Sequence, residues 1–203
     1  MQSCIISIKS KKAIPEAIRI LKKGETIIYP SESSYAIGAD ANNSRAIRKV
    51  RILKHQSTSK PIAVIIDSEH TATKIAKINH IARRIVNQLM PGRITIICDK
   101  KQSVPGILNK KEISFRIPSD SFSQSLVKEF KKPITATSAN IHGEPAIYRI
   151  NDIQKRFGNR VHLILDAGNL KKRRPSTIFD TKTMKILRQG PVSEKKIWKT
   201  IKK

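Results

Sequence analysis

The sequence predicts an α/β domain, with helices packed on a β-sheet. Two observations carry this. Short β-branched runs alternate with segments whose apolar residues return every three or four positions. No internal repeat, low-complexity tract or clear interdomain linker breaks the alternation, and 203 residues suit one domain, 1–203, with a basic helix or tail over 193–203.

The runs at 26–29 (TIIY), 62–66 (IAVII), 94–98 (ITIIC), 113–117 (ISFRI), 134–137 (ITAT) and 161–165 (VHLIL) read as buried strands. Between them, Ile14, Ala17, Ile18 and Leu21 share one helical face, with Gly24 as the stop. Ile47, Val50 and Leu53 form a second face, with Ser44 as N-cap. Ile81, Ile85 and Leu89 form a third, ended by Pro91 and Gly92. Phe122, Leu126 and Phe130 form a fourth, and Ile197 and Ile201 with Trp198 form the last. The clearest loop is 171–175 (KKRRP), between two strand-like runs.

Composition narrows the function class. Aromatic residues are only 4%, so the core is built mostly from Ile, Leu, Val and Ala. Cys4 and Cys98 are far apart, which argues against a disulfide framework and for a reducing cytoplasm. No run approaches the ~20 apolar residues of a membrane span, and the N-terminus lacks a signal-peptide pattern. The net charge is +26, and residues 171–203 hold 12 Lys or Arg against 2 acidic residues. Such a field attracts polyanions, with RNA the first candidate; a compositional bias toward Ile and Lys would give the same charge.

Familiar nucleotide signatures are absent: no GxxxxGK[ST], no GxGxxG and no GxSxG. The five histidines show no metal-ligand spacing. What remains is four polar clusters at strand ends, where open α/β sheets bind ligands. Residues 30–35 (PSESSY) are either a ligand-binding turn or a plain polar one. Residues 54–61 (KHQSTSKP) place Lys54 and Lys60 around a hydroxyl-rich loop suited to triphosphate, or to solvent alone. In 113–117, alternation puts Ile113, Phe115 and Ile117 on one face and Ser114 with Arg116 on the other. A strand guanidinium suits capture of a carboxylate, or snorkels at an edge. Residues 135–140 (TATSAN) end a strand in small hydroxyls that allow close approach by a ligand, or simply join strand to loop.

Taken in order, these segments resemble one family. YPSESSYAIGAD resembles its YPTETVYGLG, ILKHQSTSKPIAVII its KGRPxxKPLxVL, and ISFRIPSD its GVRIP strand. TATSANIHGEP resembles its STSANxSG, RRPSTIFD its PSTVVD, and ILRQGPV its ILRxG. The six span 29 to 192, and the chain is identified as a member of the YrdC/TsaC family of threonylcarbamoyl-AMP synthases.

The resemblance implies a twisted mixed sheet with flanking helices around a basic cleft. It also implies a reaction: threonine's amine takes up bicarbonate, and the resulting carboxylate attacks the ATP α-phosphate, releasing pyrophosphate. A downstream complex then transfers the threonylcarbamoyl group to adenosine 37 of tRNA. By position, Ser31, Arg116 and Ser176 fall on contacts to substrate threonine. Lys54, Gln56, Lys60, Ser138, Asn140 and Arg188 fall on nucleotide contacts, with Lys54, Ser138 and Asn140 as the catalytic set. No protein-held metal is implied; Mg²⁺ would accompany ATP. Partners would be ATP, L-threonine, bicarbonate, and tRNA or double-stranded RNA on the basic surface. Two departures stand out. The family's K-x-R arginine is Gln56 here, and YGLG is YAIG, a form also seen in the YciO branch. The alternatives are therefore an RNA-binding module with a decayed site, or a YciO-like enzyme on related nucleotides.

Overall fold

In the computed structural model, which describes residues 3–202, the strands divide between two mixed sheets rather than one. The first contains β1 (Cys4–Ser7), β2 (Ile27–Pro30), β3 (Tyr35–Gly38), β8 (Thr137–Ser138) and β9 (Leu163–Asp166), in the order β1-β9-β2-β3-β8. The second contains β4 (Val64–Ile65), β5 (Ile94–Asp99), β6 (Glu112–Arg116), β7 (Ile134–Thr135), β10 (Thr177–Asp180) and β11 (Lys185–Arg188), in the order β11-β10-β5-β6-β4-β7. The run expected as one strand at 134–137 is split at Ala136, where the chain leaves the second sheet and enters the first. Backbone bonds from Thr135 N to Ala39 O (3.0 Å) and Ala136 N to Ala63 O (2.8 Å) secure this crossing. The buried Tyr29 hydroxyl donates to Thr135 O at 3.1 Å from the other sheet.

Among the described residues, seven helices cover these sheets. They are α1 (Ala13–Lys22), α2 (Ser44–Lys54), α3 (Glu69–Ile75), α4 (His80–Leu89), α5 (Ser121–Phe130), α6 (Ile150–Phe157) and α7 (Glu194–Lys202). In α1 the buried face is Ala13, Ala17, Ile20 and Leu21; Ile14 and Ile18, expected on it, are only half-buried. The N-cap of α2 is Asn43, not Ser44. Asn43 has extended backbone, and its side chain accepts from Arg45 N at 3.0 Å and Ala46 N at 3.1 Å. The basic segment expected from 193 forms α7, which buries Ile197 and sets Trp198 edge-on to Phe179 at 6.4 Å.

Two apolar clusters result. α1 and α5 pack Leu21, Leu126 and Phe130 against Ile27, Tyr29, Leu163 and Leu165 of the first sheet. A larger cluster joins Ile94, Ile96, Ile113, Phe115 and Phe179 of the second sheet to residues of α2, α4 and α7. In β5 and β6 of the second sheet only one face is consumed in this way, and the other is free to build a site.

The cysteines differ in kind. Cys4 is exposed on β1, while Cys98 on β5 is buried and its thiol is pushed up to about 11 by burial. From an ordinary value of 9.0, that leaves about a hundredfold less thiolate at pH 8. Titration of the folded protein with a thiol-reactive chromophore at pH 8 should label Cys4 rapidly and Cys98 only after denaturant is added. Two thiols reacting at similar rates would contradict this packing.

Candidate functional site

A cavity of about 440 Å³ lies between the two sheets. Its floor is the second sheet's free face. Arg188 on β11, Ile178 on β10, Thr95 and Ile97 on β5, and Ser114 and Arg116 on β6 follow one another across neighbouring strands. Strand alternation explains the set: Ile113 and Phe115 enter the core, so Ser114 and Arg116 face the cavity. The first sheet supplies the facing wall through the 31–34 turn, Ala36 and Ser138.

Four guanidiniums line this space, those of Arg93, Arg116, Arg173 and Arg188, against a single acid, Glu32, among the described residues. Arg116 and Arg188 are close enough that the first depresses the second's pKa, after the larger effect of burial. Like charges held this way in a partly dry cleft demand an anion. The protein neutralises them only in part. Buried Nε atoms of Arg93 and Arg116 have no aligned acceptor. The ion-pair partner of Arg116 among the described residues is Glu32, with Nε 3.3 Å from Oε2.

Hydroxyls complete the lining. Ser176 Oγ lies 2.8 Å from Thr95 Oγ1. Arg188 is fixed beside it, Nε donating to Ser176 O at 3.0 Å and Nη2 reaching Ser176 Oγ at 3.3 Å. This depends on the β10–β11 hairpin closing tightly. At Gly190 a Cβ would stand 2.4 Å from both Pro175 O and Thr177 N, so only glycine fits. Ser31 Oγ donates to Ser34 O at 2.7 Å, closing the turn that projects Glu32. Ser138 Oγ donates to Asn140 Oδ1 at 2.6 Å, which leaves its lone pairs for a ligand.

The structure thus brings Ser31, Arg116, Ser138, Ser176 and Arg188 to one cavity. It does not bring Lys54, Gln56, Lys60 or Asn140 to its lining. Lys54 is buried at the end of α2 with all three donors used, on Ser138 O (2.6 Å), Asn140 Oδ1 (2.9 Å) and Asn140 O (3.1 Å). Burial pushes its pKa down to about 8. In this position it supports the strand carrying Ser138. Gln56 Oε1 is buried without a partner, and Lys60 is exposed. Their loop is pinned from below by buried Arg51, which donates to Ser57 O (2.5 Å), Lys60 O (3.1 Å) and Ile107 O (3.2 Å).

Several lining residues carried no role in the sequence reading: Glu32, Arg93, Thr95, Tyr148 and Arg173. Glu32 lay inside the PSESSY cluster, but its partners, Arg116 and Ser119, are more than 80 positions away. No group of three or more potential metal ligands occurs among the described residues.

A family model covering the Sua5, YciO and YrdC proteins, described as telomere recombination, matches residues 19–190. The chain belongs to this family. A relative from Methanocaldococcus jannaschii is 31% identical over 190 residues, covering 92% of this chain and 90% of its own. The threonylcarbamoyl-AMP synthase of Vibrio campbellii is 29% identical, covering 88% of this chain and all of its own. Among solved structures, P. abyssi Sua5 complexed with L-threonine superposes with a TM-score of 0.91 at 25% identity over 98% of this chain, which spans 61% of that longer protein. E. coli YciO, at 24% identity and a TM-score of 0.86, shares the fold over 96% of this chain and 99% of its own.

Replacing Lys54 by Met should remove a charged donor from three acceptors at once; Asn140 Oδ1 keeps Ser138 Oγ and Ser138 O keeps Asn140 N, while Asn140 O loses its ammonium partner. We expect a loss of about 2–4 kcal/mol in urea unfolding, the cost typical of orphaning buried groups that a charged donor satisfied. A variant as stable as the parent would show that the ammonium does not clamp the 138–140 segment.

Proposed function

We propose that the chain is a threonylcarbamoyl-AMP synthase acting in the cytoplasm, condensing L-threonine, bicarbonate and ATP. The observation that carries the proposal is Arg116: a buried guanidinium without an aligned protein acceptor, facing the same cavity as Arg188, Ser176 and Ser138. It suits capture of an amino-acid carboxylate. Arg93, Arg173 and Arg188 are the remaining cations in that space and suit phosphate. Family membership and the relatives' activity support the same reading.

The atoms balance simply. The substrate ammonium and bicarbonate give a carbamate, one water and one proton; a carbamate oxygen then bonds to the α-phosphorus as pyrophosphate leaves. The chain's own part is to hold the two substrates together and to stabilise the charge on the phosphates. Mg²⁺ belongs to this reading as a companion of ATP. The product would pass to a threonylcarbamoyl-transferase complex acting on tRNA. The +26 charge favours a tRNA contact on the basic surface.

The test is pyrophosphate release measured with each substrate omitted in turn, beside Gln56→Arg and Arg116→Ala variants. Release should require both threonine and bicarbonate. Arg116→Ala should weaken threonine binding about 10–100-fold, as loss of a charge-assisted pair implies, with a smaller effect on ATP. ATP turnover indifferent to threonine would overturn the proposal and favour a YciO-like activity.

A further inference from the structure

The one acid in the cavity needs an explanation. A site built to gather anions is weakened by a carboxylate beside its most buried guanidinium, and the Glu32 side chain is only 7% exposed. Its environment is constructed. Oε1 accepts from both Ser119 N (2.5 Å) and Ser119 Oγ (2.6 Å), which fixes the group in place. Among the described residues the ion-pair partner of Oε2 is Arg116 Nε at 3.3 Å, and that nitrogen has no aligned acceptor. A carboxylate serving only to hold Arg116 would be expected to make an aligned, bidentate bond. This one presents a nearly free oxygen to the cavity, next to a guanidinium that is also nearly free.

A cation and an anion a few ångströms apart form the mirror of an amino-acid zwitterion, whose carboxylate and ammonium sit on one carbon. Resting on the synthase reading, we infer that Glu32 is the specificity residue for the substrate's α-ammonium: Oε2 accepts from the amino group while the Arg116 guanidinium takes the carboxylate. The cavity then selects α-amino acids over hydroxy acids of the same shape, because a hydroxyl beside Oε2 offers no charge to offset burial of the carboxylate. Ser119, through its backbone and hydroxyl, is the residue that aims Glu32.

Titration calorimetry with two ligands tests this: L-threonine, and 2,3-dihydroxybutanoate of matching stereochemistry, which replaces the ammonium by a hydroxyl. The wild-type protein should bind threonine at least tenfold more tightly. Glu32→Gln should weaken threonine about tenfold or more yet leave the hydroxy acid unchanged or tighter, so the preference disappears. Glu32→Asp should retain it. Thermal melting of each variant confirms folding, and the wild-type preference stands as a test even where a variant does not fold. Equal weakening of both ligands in Glu32→Gln would make Glu32 a positioner of Arg116 and overturn the inference while leaving the synthase reading intact. No wild-type preference would overturn it equally. A wild-type protein that binds neither ligand would overturn the synthase reading as well.

Discussion

The whole arrangement depends on one passage of chain, residues 134–138, which pairs in the second sheet, crosses at Ala136 and pairs again in the first. The crossing holds two sheets face to face without sealing them, and the gap is the cavity. Its far end is secured by an unusual device. A buried lysine ammonium gathers the Ser138 carbonyl and both oxygens of Asn140, and the backbone of the same lysine accepts from His142 N at 2.8 Å. Ser138 can present its lone pairs to a ligand because Lys54 and Asn140 fix everything behind it.

Charge placement follows from the same geometry. The core-facing side of the second sheet takes Ile113, Phe115 and Phe179, so polar and cationic residues collect on the other side. Arg116 and Arg188 repel each other across the floor, and neither is neutralised by a protein carboxylate in full. A fold tolerates such a cluster when an anionic ligand offsets it. Stability is provided elsewhere, in the two apolar clusters that flank the sheets. The cavity is where the protein accepts uncompensated charge.

The sequence made some of this legible. Alternation in ISFRI assigned Arg116 to the polar face because period 2 is a local property of a strand, and five of the expected strand runs recur as β2, β4, β5, β6 and β9 with shifts of at most two residues at their ends. Other elements were not readable. β1, β3 and β11 lack long apolar runs: β1 and β11 are edge strands, and β3 is only the four residues YAIG directly after the polar PSESS. α3 and α6 are short and rich in polar residues. In the site, the spacing of Lys54 and Lys60 suggests a phosphate loop, but the loop's direction is set by Arg51. In a chain that is 28% charged, nothing marks Arg51 as buried. Glu32 was unreadable for a different reason: its role arises from Ser119 and Arg116, partners that only the fold brings near.

The function of the cavity turns on where an amino acid's carboxylate lies when it is bound. A crystal structure of the protein with L-threonine and a non-hydrolysable ATP analogue would show this directly. The expected result is threonine between the sheets, its carboxylate within hydrogen-bonding distance of the Arg116 guanidinium and its amino group turned toward the nucleotide's α-phosphate. Threonine seated outside the cavity, or held there with Arg116 still facing only Glu32, would contradict it.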